Sequence, residues 1–175
     1  MDFTDYFIKN GAIKKGHFIR SSGRHTDTYV QCARLFENAS TAEFVAKSVA
    51  ERIKGIEVDL VMSAAIGGLL PGYEVARQLK KPFIFCERNQ GTMTLRRDFE
   101  IPEGSRILLI EDEITTGTSI REMTELTKAL NANAVAVACL VDKSGGKLGF
   151  GIPLLSLASI EVQNWTQKEC PVCNK

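Results

Sequence analysis

Glu111 and Asp112 stand side by side, and after Glu113 and Ile114 the chain reads Thr115-Thr116-Gly117-Thr118-Ser119. Carboxylates accept hydrogen bonds from sugar hydroxyls and help hold a hydrated Mg²⁺. The hydroxyl-rich stretch suits the opposite charge. A helix N-terminus offers free N–H groups and a partial positive charge to a phosphate, the Thr and Ser side chains add donors, and a glycine lets the backbone approach closely. A site that wants both a phosphate monoester and a diol fits a phosphorylated ribose. A lone Thr-Gly would read as an ordinary helix cap. Four hydroxyl side chains among five residues, directly behind paired acids, weigh against that reading.

These residues need a frame to hold them. Ile107 to Ile110 is a short apolar run after Gly104, which predicts a buried parallel strand. Behind the loop, Ile120, Met123, Leu126 and Leu130 recur three or four residues apart, the spacing of one helix face. The segment is therefore strand, loop and helix, and in open α/β sheets ligands bind where such loops leave the strands. A P-loop is excluded because no Lys follows the glycine. A receiver domain is excluded because too little chain follows Asp112.

With 175 residues, the chain suggests one domain, 1–175, with enough material for a core. A net charge of +1 provides no global field to recruit nucleic acid or an anionic membrane, so anion binding has to be local. No apolar run approaches a membrane span and no secretory signal is visible, so a cytoplasmic protein is expected. Cys32, Cys86 and Cys139 sit in apolar runs and read as reduced core residues. Cys170-Pro171-Val172-Cys173 is a single pair. A zinc site takes about four ligands, and His17 and His25 are far away in sequence, so an exposed tail is expected there.

Taken in order, Phe3 to Ile8 predicts a short helix. Residues 17–20 and 28–32 predict two strands joined by a polar turn over 21–27, an antiparallel hairpin ahead of the main sheet. Ser40-Thr41-Ala42-Glu43 fits a capping box, with Phe44, Val45, Val49 and Ile53 on the helix's inner face. Strands are expected at 59–62, 82–86 and 134–141, a last apolar run covers 154–160, and a helix runs over 72–79. Alternating strands and helices mean an α/β fold with a mostly parallel sheet covered on both faces. The small-residue loop 63–68, with Gly67 and Gly68, leaves backbone N–H groups accessible to an anion such as pyrophosphate. The polar segment 87–102 carries Arg88, Arg96 and Arg97 and predicts a lid, since arginine holds phosphate bidentately and keeps its charge.

The central stretch resembles the phosphoribosyl pyrophosphate signature of the type I phosphoribosyltransferases: apolar strand, two acids, two variable residues, then Thr-Thr-Gly-Thr-Ser. The run from Phe18 to Cys32, the helix 72–79, the stretch Met93 to Phe99 and the ending Glu169 to Cys173 look like the short-chain branch of the orotate phosphoribosyltransferase family. That resemblance implies the type I fold with a hood built from about residues 1–35 and the C-terminal segment. It implies transfer of phosphoribose from phosphoribosyl pyrophosphate to orotate, giving orotidine 5'-monophosphate and pyrophosphate in pyrimidine synthesis. Mg²⁺ would arrive on the donor's pyrophosphate, and the lid of one subunit in a homodimer would reach its neighbour's site. By position, Glu111 and Asp112 would hold the ribose hydroxyls, and Glu113 and Ile114 to Ser119 the donor phosphate. Gly67, Gly68 and Arg88 would serve the pyrophosphate, and Thr115, Lys143 and Ser21 the orotate. Catalysis would rest on Asp112 and on Arg88, Arg96 or Arg97.

Three positions depart from the family pattern. The lid has no lysine between Lys81 and Lys128, Lys143 stands where the family has an orotate-binding arginine, and Glu113 stands where a hydrophobic residue is common. Two alternatives stay open at this level: a transferase for another nucleobase, and a non-catalytic regulator that binds the same donor. The regulator would also bind nucleic acid, for which the chain shows no basic stripe.

Overall fold

Alternation along one strand organises the core. The computed structural model of the chain describes residues 1–174, and in it β6 spans Arg106–Ile114. Ile107 and Leu109 join one hydrophobic core, Leu108 and Ile110 the other, and all four are essentially inaccessible to solvent. Successive side chains of a strand point to opposite faces, so a run apolar at every position requires cover on both.

β6 sits in a six-stranded sheet ordered β5-β4-β3-β6-β7-β8. Its partners are β3 (Leu60–Ala64), β4 (Phe83–Asn89), β5 (Thr92–Leu95), β7 (Asn133–Asp142) and β8 (Leu154–Ser159). All neighbours are parallel except β5, which runs antiparallel to β4. Strand order moves outward from β3 to β4 on one side and from β6 to β7 on the other. The switch point therefore lies between β3 and β6, where an open α/β sheet leaves a crevice at the strand ends.

Helices α1 (Phe3–Lys9) and α2 (Ala39–Arg52) cover one face with Phe7, Val45 and Val49, joined by Val75 of α3 (Leu69–Leu79). α4 (Thr118–Ala129) covers the other with Ile120 and Met123. Two helix details differ from expectation. The cap of α2 is Asn38, whose extended backbone lets its Oδ1 accept from Ser40 N (2.9 Å) and Thr41 N (3.2 Å). The helix starts at Ala39, so Ser40 lies inside the first turn and the capping box does not form there. On α4, the buried position expected of Leu130 is taken by Thr127, because the helix ends at Ala129 and Leu130 turns outward as its cap.

The N-terminal hairpin is present with a tighter turn than expected. β1 (Ile13–Ile19) pairs antiparallel with β2 (His25–Val30), and Arg20 N donates to Arg24 O at 2.9 Å, closing a turn around Gly23 at φ +76°. A short strand, β9 (Asn164–Trp165), joins β2 to make a separate three-stranded sheet from the two ends of the chain. The expected exposed tail is half right. Cys173 is exposed, whereas Cys170 is buried against this sheet. Cys32, Cys86 and Cys139 are buried and free, and burial pushes the Cys86 thiol up to about 12.

Candidate active site

The strand ends at Ile114, later than the apolar run alone indicates, so Glu111 and Asp112 are strand residues and only Thr115 to Gly117 form the loop. Gly117 is the N-cap of α4 at φ +75°, and no side chain caps the helix among the described residues. Its first-turn N–H groups are thus left for a ligand. A Cβ at Gly117 would come within 2.8 Å of the Phe150 ring. Arg121 packs over the same ring at 5.4 Å and donates from Nη1 to Thr116 O at 2.7 Å, which fixes the loop from outside. The Oγ1 atoms of Thr116 and Thr118 lie 3.0 Å apart. Together Glu111, Glu113 and Ile114 to Ile120 line a cup of about 160 Å³, the size of a small anionic group.

Glu111 is nearly buried, and its carboxyl is pushed up to about 8, first by burial and then by the neighbouring Asp112. The nearby Ser119 hydroxyl lowers it, which only partly offsets those effects. Asp112 is also raised, chiefly by burial, with Glu113 adding like-charge repulsion, although its Oδ1 accepts from Glu113 N at 2.8 Å. Among the described residues neither carboxyl forms an ion pair, and two adjacent acids of this kind are how a site awaiting hydroxyl donors or a cation looks.

The loop after β3 closes against Asp112. A Cβ on Gly67 would lie 2.6 Å from both Asp112 carboxylate oxygens, and one on Gly68 would lie 2.8 Å from Ala64 O. Glycine is required at both positions for backbone to approach backbone and acid this closely. The Ala65–Ile66 peptide is cis, and Ile66 projects into solvent.

On the hood side of Asp112, a cavity of about 450 Å³ is bounded by Phe18, Ser21, Thr26, Thr28, Asp112, Glu113 and Lys143. Ser21 and Lys143 therefore meet at one cavity, while Thr115 faces the cup next door. Lys143 Nζ bonds Glu113 Oε1 at 2.8 Å with the lysine almost wholly buried. Asp142, which sequence reasoning passed over, holds the Lys143 loop by accepting from Ser144 N (2.8 Å) and Gly146 N (3.0 Å). An Asp directly before a Ser-Gly-Gly turn was the available signal. Phe18, Thr26 and Thr28 were also missed individually, though they lie in the stretch whose resemblance marked the hood.

The arginine-bearing segment is an edge hairpin rather than a polar loop. β4 continues through Arg88 to Asn89, turns at Gln90 and Gly91, and returns as β5. Arg88 forks onto Glu122 of α4, while Arg96 and Arg97 pair with Glu87 at 3.2 and 3.0 Å. None of the three lines the cup or the hood cavity.

Residues 34–161 match the model of the phosphoribosyl transferase domain. The chain is 44% identical over 174 residues to the orotate phosphoribosyltransferase of Thermoanaerobacter sp. (strain X514), covering 99% of this chain and 92% of that one. It is 42% identical over 167 residues to that of Thermotoga maritima, covering 95% and 89%. The crystal structure of orotate phosphoribosyltransferase from Aeropyrum pernix superposes with a TM-score of 0.74 at 28% identity, covering 90% of this chain and 93% of that one. A domain match across most of the chain, together with near-full-length likeness to these relatives, means that the chain belongs to the orotate phosphoribosyltransferase branch of the type I phosphoribosyltransferase family.

Proposed function

We propose that the cup, the paired acids and the hood cavity carry out the orotate phosphoribosyltransferase reaction, in which phosphoribosyl pyrophosphate and orotate give orotidine 5'-monophosphate and pyrophosphate. The observation that carries the assignment is the meeting, at one sheet switch point, of an uncapped helix N-terminus, two destabilised carboxyls and a buried lysine.

The first turn of α4 and the hydroxyls of Thr115, Thr116, Thr118 and Ser119 take the 5'-phosphate. Glu111 and Asp112 accept from the ribose hydroxyls, and the backbone of Gly67 and Gly68 faces the pyrophosphate. Orotate lies in the hood cavity with its carboxylate toward Lys143 and within reach of Ser21 and Thr115. As the bond to pyrophosphate breaks, positive charge grows on the ribose ring, and the nearby carboxylates favour that charge. Arg88, Arg96 and Arg97 stabilise the leaving group, and closure of the hairpin excludes water that would hydrolyse the donor. Mg²⁺ fits this donor set, since Glu111 and Asp112 offer hard oxygen ligands whose mutual repulsion a divalent cation relieves. When bound with the donor it supplies charge neutralisation at the pyrophosphate.

The reading includes a single domain over 1–175, a cytoplasmic setting that suits three buried free cysteines, and a homodimer. Support for the dimer comes from the arginines: within one chain none of them lines either cavity, so a second copy's hairpin is the natural source of the lid. Folded protein incubated with orotate, phosphoribosyl pyrophosphate and Mg²⁺ is expected to deplete orotate absorbance. Absence of turnover, or preference for a purine in a panel of bases, overturns the assignment.

A further inference from the structure

Four side chains that play no part in the chemistry above converge behind the hood. His17 Nε2 lies 2.9 Å from His25 Nδ1, 3.3 Å from Cys170 Sγ and 3.7 Å from Cys173 Sγ, and Cys173 Sγ lies 3.4 Å from His25 Nδ1. All four ligand atoms fall within 4.8 Å of one another. Hydrogen bonding alone accounts poorly for this. A ring nitrogen has one proton or one lone pair to offer, and His17 Nε2 has three close neighbours. Zinc bond lengths of about 2.0–2.1 Å to nitrogen and about 2.3 Å to sulfur, at tetrahedral angles, place the ligand atoms roughly 3.3–3.8 Å apart. The spacings of 3.3, 3.4 and 3.7 Å fall in that range, and the histidine pair at 2.9 Å is slightly closer than a bound ion would hold it.

We infer that His17, His25, Cys170 and Cys173 form a structural zinc(II) site. Two imidazoles and two thiolates are a tetrahedral S₂N₂ set, the ligand chemistry zinc prefers, with no position left open for substrate. Two thiolates also neutralise the divalent charge, which suits a half-buried location: His25 and Cys170 are buried, His17 and Cys173 exposed. The backbone is shaped for it. The β1–β2 register slips between Lys15 and Phe18, a bulge that sets Gly16 and His17 against a single residue of β2 and re-aims His17 toward His25. β9 then pairs with β2 at His25, and the 3-10 turn Gln167–Glu169 brings the Cys-x-x-Cys segment down on both rings. The ion would therefore tie the last residues to the first hairpin.

That tie has a consequence for the hood, which rests on the reading of its cavity as the orotate site. Phe18 and Thr26, next in sequence to His17 and His25, line that cavity, so the metal seats the acceptor wall while touching no reacting group.

The test is metal analysis of full-length protein purified without chelator or added metal. About one zinc per chain is expected, released when a mercurial blocks the thiols. Cobalt(II) loaded in its place is expected to give the intense visible bands of a tetrahedral thiolate site. Cys173→Ser, at an exposed position, is expected to lose the zinc and the cobalt spectrum while staying folded. Assayed in saturating Mg²⁺, that variant is expected to raise the KM for orotate several-fold and leave the KM for the donor unchanged. Zinc-free native protein that also fails to take up cobalt, or a native mass lower by two thiol hydrogens, overturns the inference. Zinc content is read without substrate, so a zinc-loaded protein that does not turn over orotate would sustain this inference and sink the proposed function.

Discussion

Lys143, directly after the end of β7, and Glu113 of the neighbouring β6 are bonded to each other beside the site, Nζ to Oε1 at 2.8 Å. The lysine side chain is 7% exposed and the glutamate 28%. Glu113 thus has a purpose: it balances an ammonium that would otherwise be buried alone beside the hood cavity. A buried charge is tolerated when paired and costs several kcal/mol when it is not.

The pair makes unequal predictions for its members. Lys143→Met removes the proposed carboxylate contact and strands Glu113, so the KM for orotate is expected to rise about tenfold or more, with a stability loss of about 1–3 kcal/mol. Glu113→Gln frees the ammonium for the ligand, and the KM for orotate is expected to fall. Lys143→Arg keeps the charge and is expected to hold that KM near the native value. Steady-state kinetics with urea titrations decide this, and a Glu113→Gln variant that loses orotate use altogether would show that the acid itself meets the substrate.

Asp112 and Gly67 are expected to fail in the same way for different reasons. Asp112→Asn keeps the hydrogen bond from Glu113 N but loses the charge facing the ribose, so kcat/KM for the donor is expected to fall about 10²-fold with little change in melting temperature. Gly67→Ala keeps the backbone N–H proposed to face the pyrophosphate, but its methyl would sit 2.6 Å from the Asp112 oxygens and displace them. Donor use is therefore expected to drop while the KM for orotate moves less. A fully active Gly67→Ala enzyme would show that this loop yields easily and that Asp112 needs no such close support.

The sheet and the cup were legible because their signals are local. A run as short as Ile107 to Ile110, bounded by Gly104 and by acids, reads as a buried strand by its length and flanks, and hydroxyls behind paired acids point to a ligand from the local sequence alone. What escaped was set by register and return of the chain. The Lys143–Glu113 pair joins neighbouring strands, where Glu113 pairs with Val141 and Ile114 with Asp142, and nothing in either segment announces the other. Asn38 displaced the Ser40 cap because two residues could each begin the helix and only the backbone at Asn38 was extended. His17 and Cys170 lie at opposite ends of the chain and meet through a bulge and a two-residue strand, features too short to carry a periodicity.

The raised carboxyl of Glu111 predicts a pH dependence whose sign is fixed by linkage. The ordinary value is 4.5 and the folded value about 8, so across that window the native state keeps a proton the unfolded chain has lost. Its contribution to stability is full below 4.5 and is lost as pH rises through about 8. Glu111→Gln mimics the protonated form and removes the dependence. The variant is expected to lie close to the native protein near about pH 5 and to exceed it by several kcal/mol near about pH 9, read from urea midpoints. Ribose 5-phosphate binding by the variant is expected to weaken near about pH 9, where the native residue is a carboxylate, and to stay close to native near about pH 5, where both side chains are neutral. Parallel stability curves for the two proteins would place the titration elsewhere.

The fork of Arg88 onto Glu122 holds the proposed lid arginine away from the cup, so the two substitutions are expected to diverge. Arg88→Ala removes charge stabilisation of the leaving pyrophosphate, and kcat is expected to fall about 10²-fold with both substrates still bound. Glu122→Ala only releases the arginine, and kcat is expected to stay level or rise; equal damage from both would make the pair a structural clasp. If the hairpin serves a neighbour's site, Arg88→Ala and Asp112→Asn subunits should complement. In a mixed dimer the Arg88→Ala subunit keeps native acids and receives a native hairpin from its partner, so that one site is whole. Equal coexpression is expected to restore about a quarter of native activity, because half the dimers are mixed and each carries one working site of two. A coexpressed pair no more active than its parents would place each hairpin over its own cup.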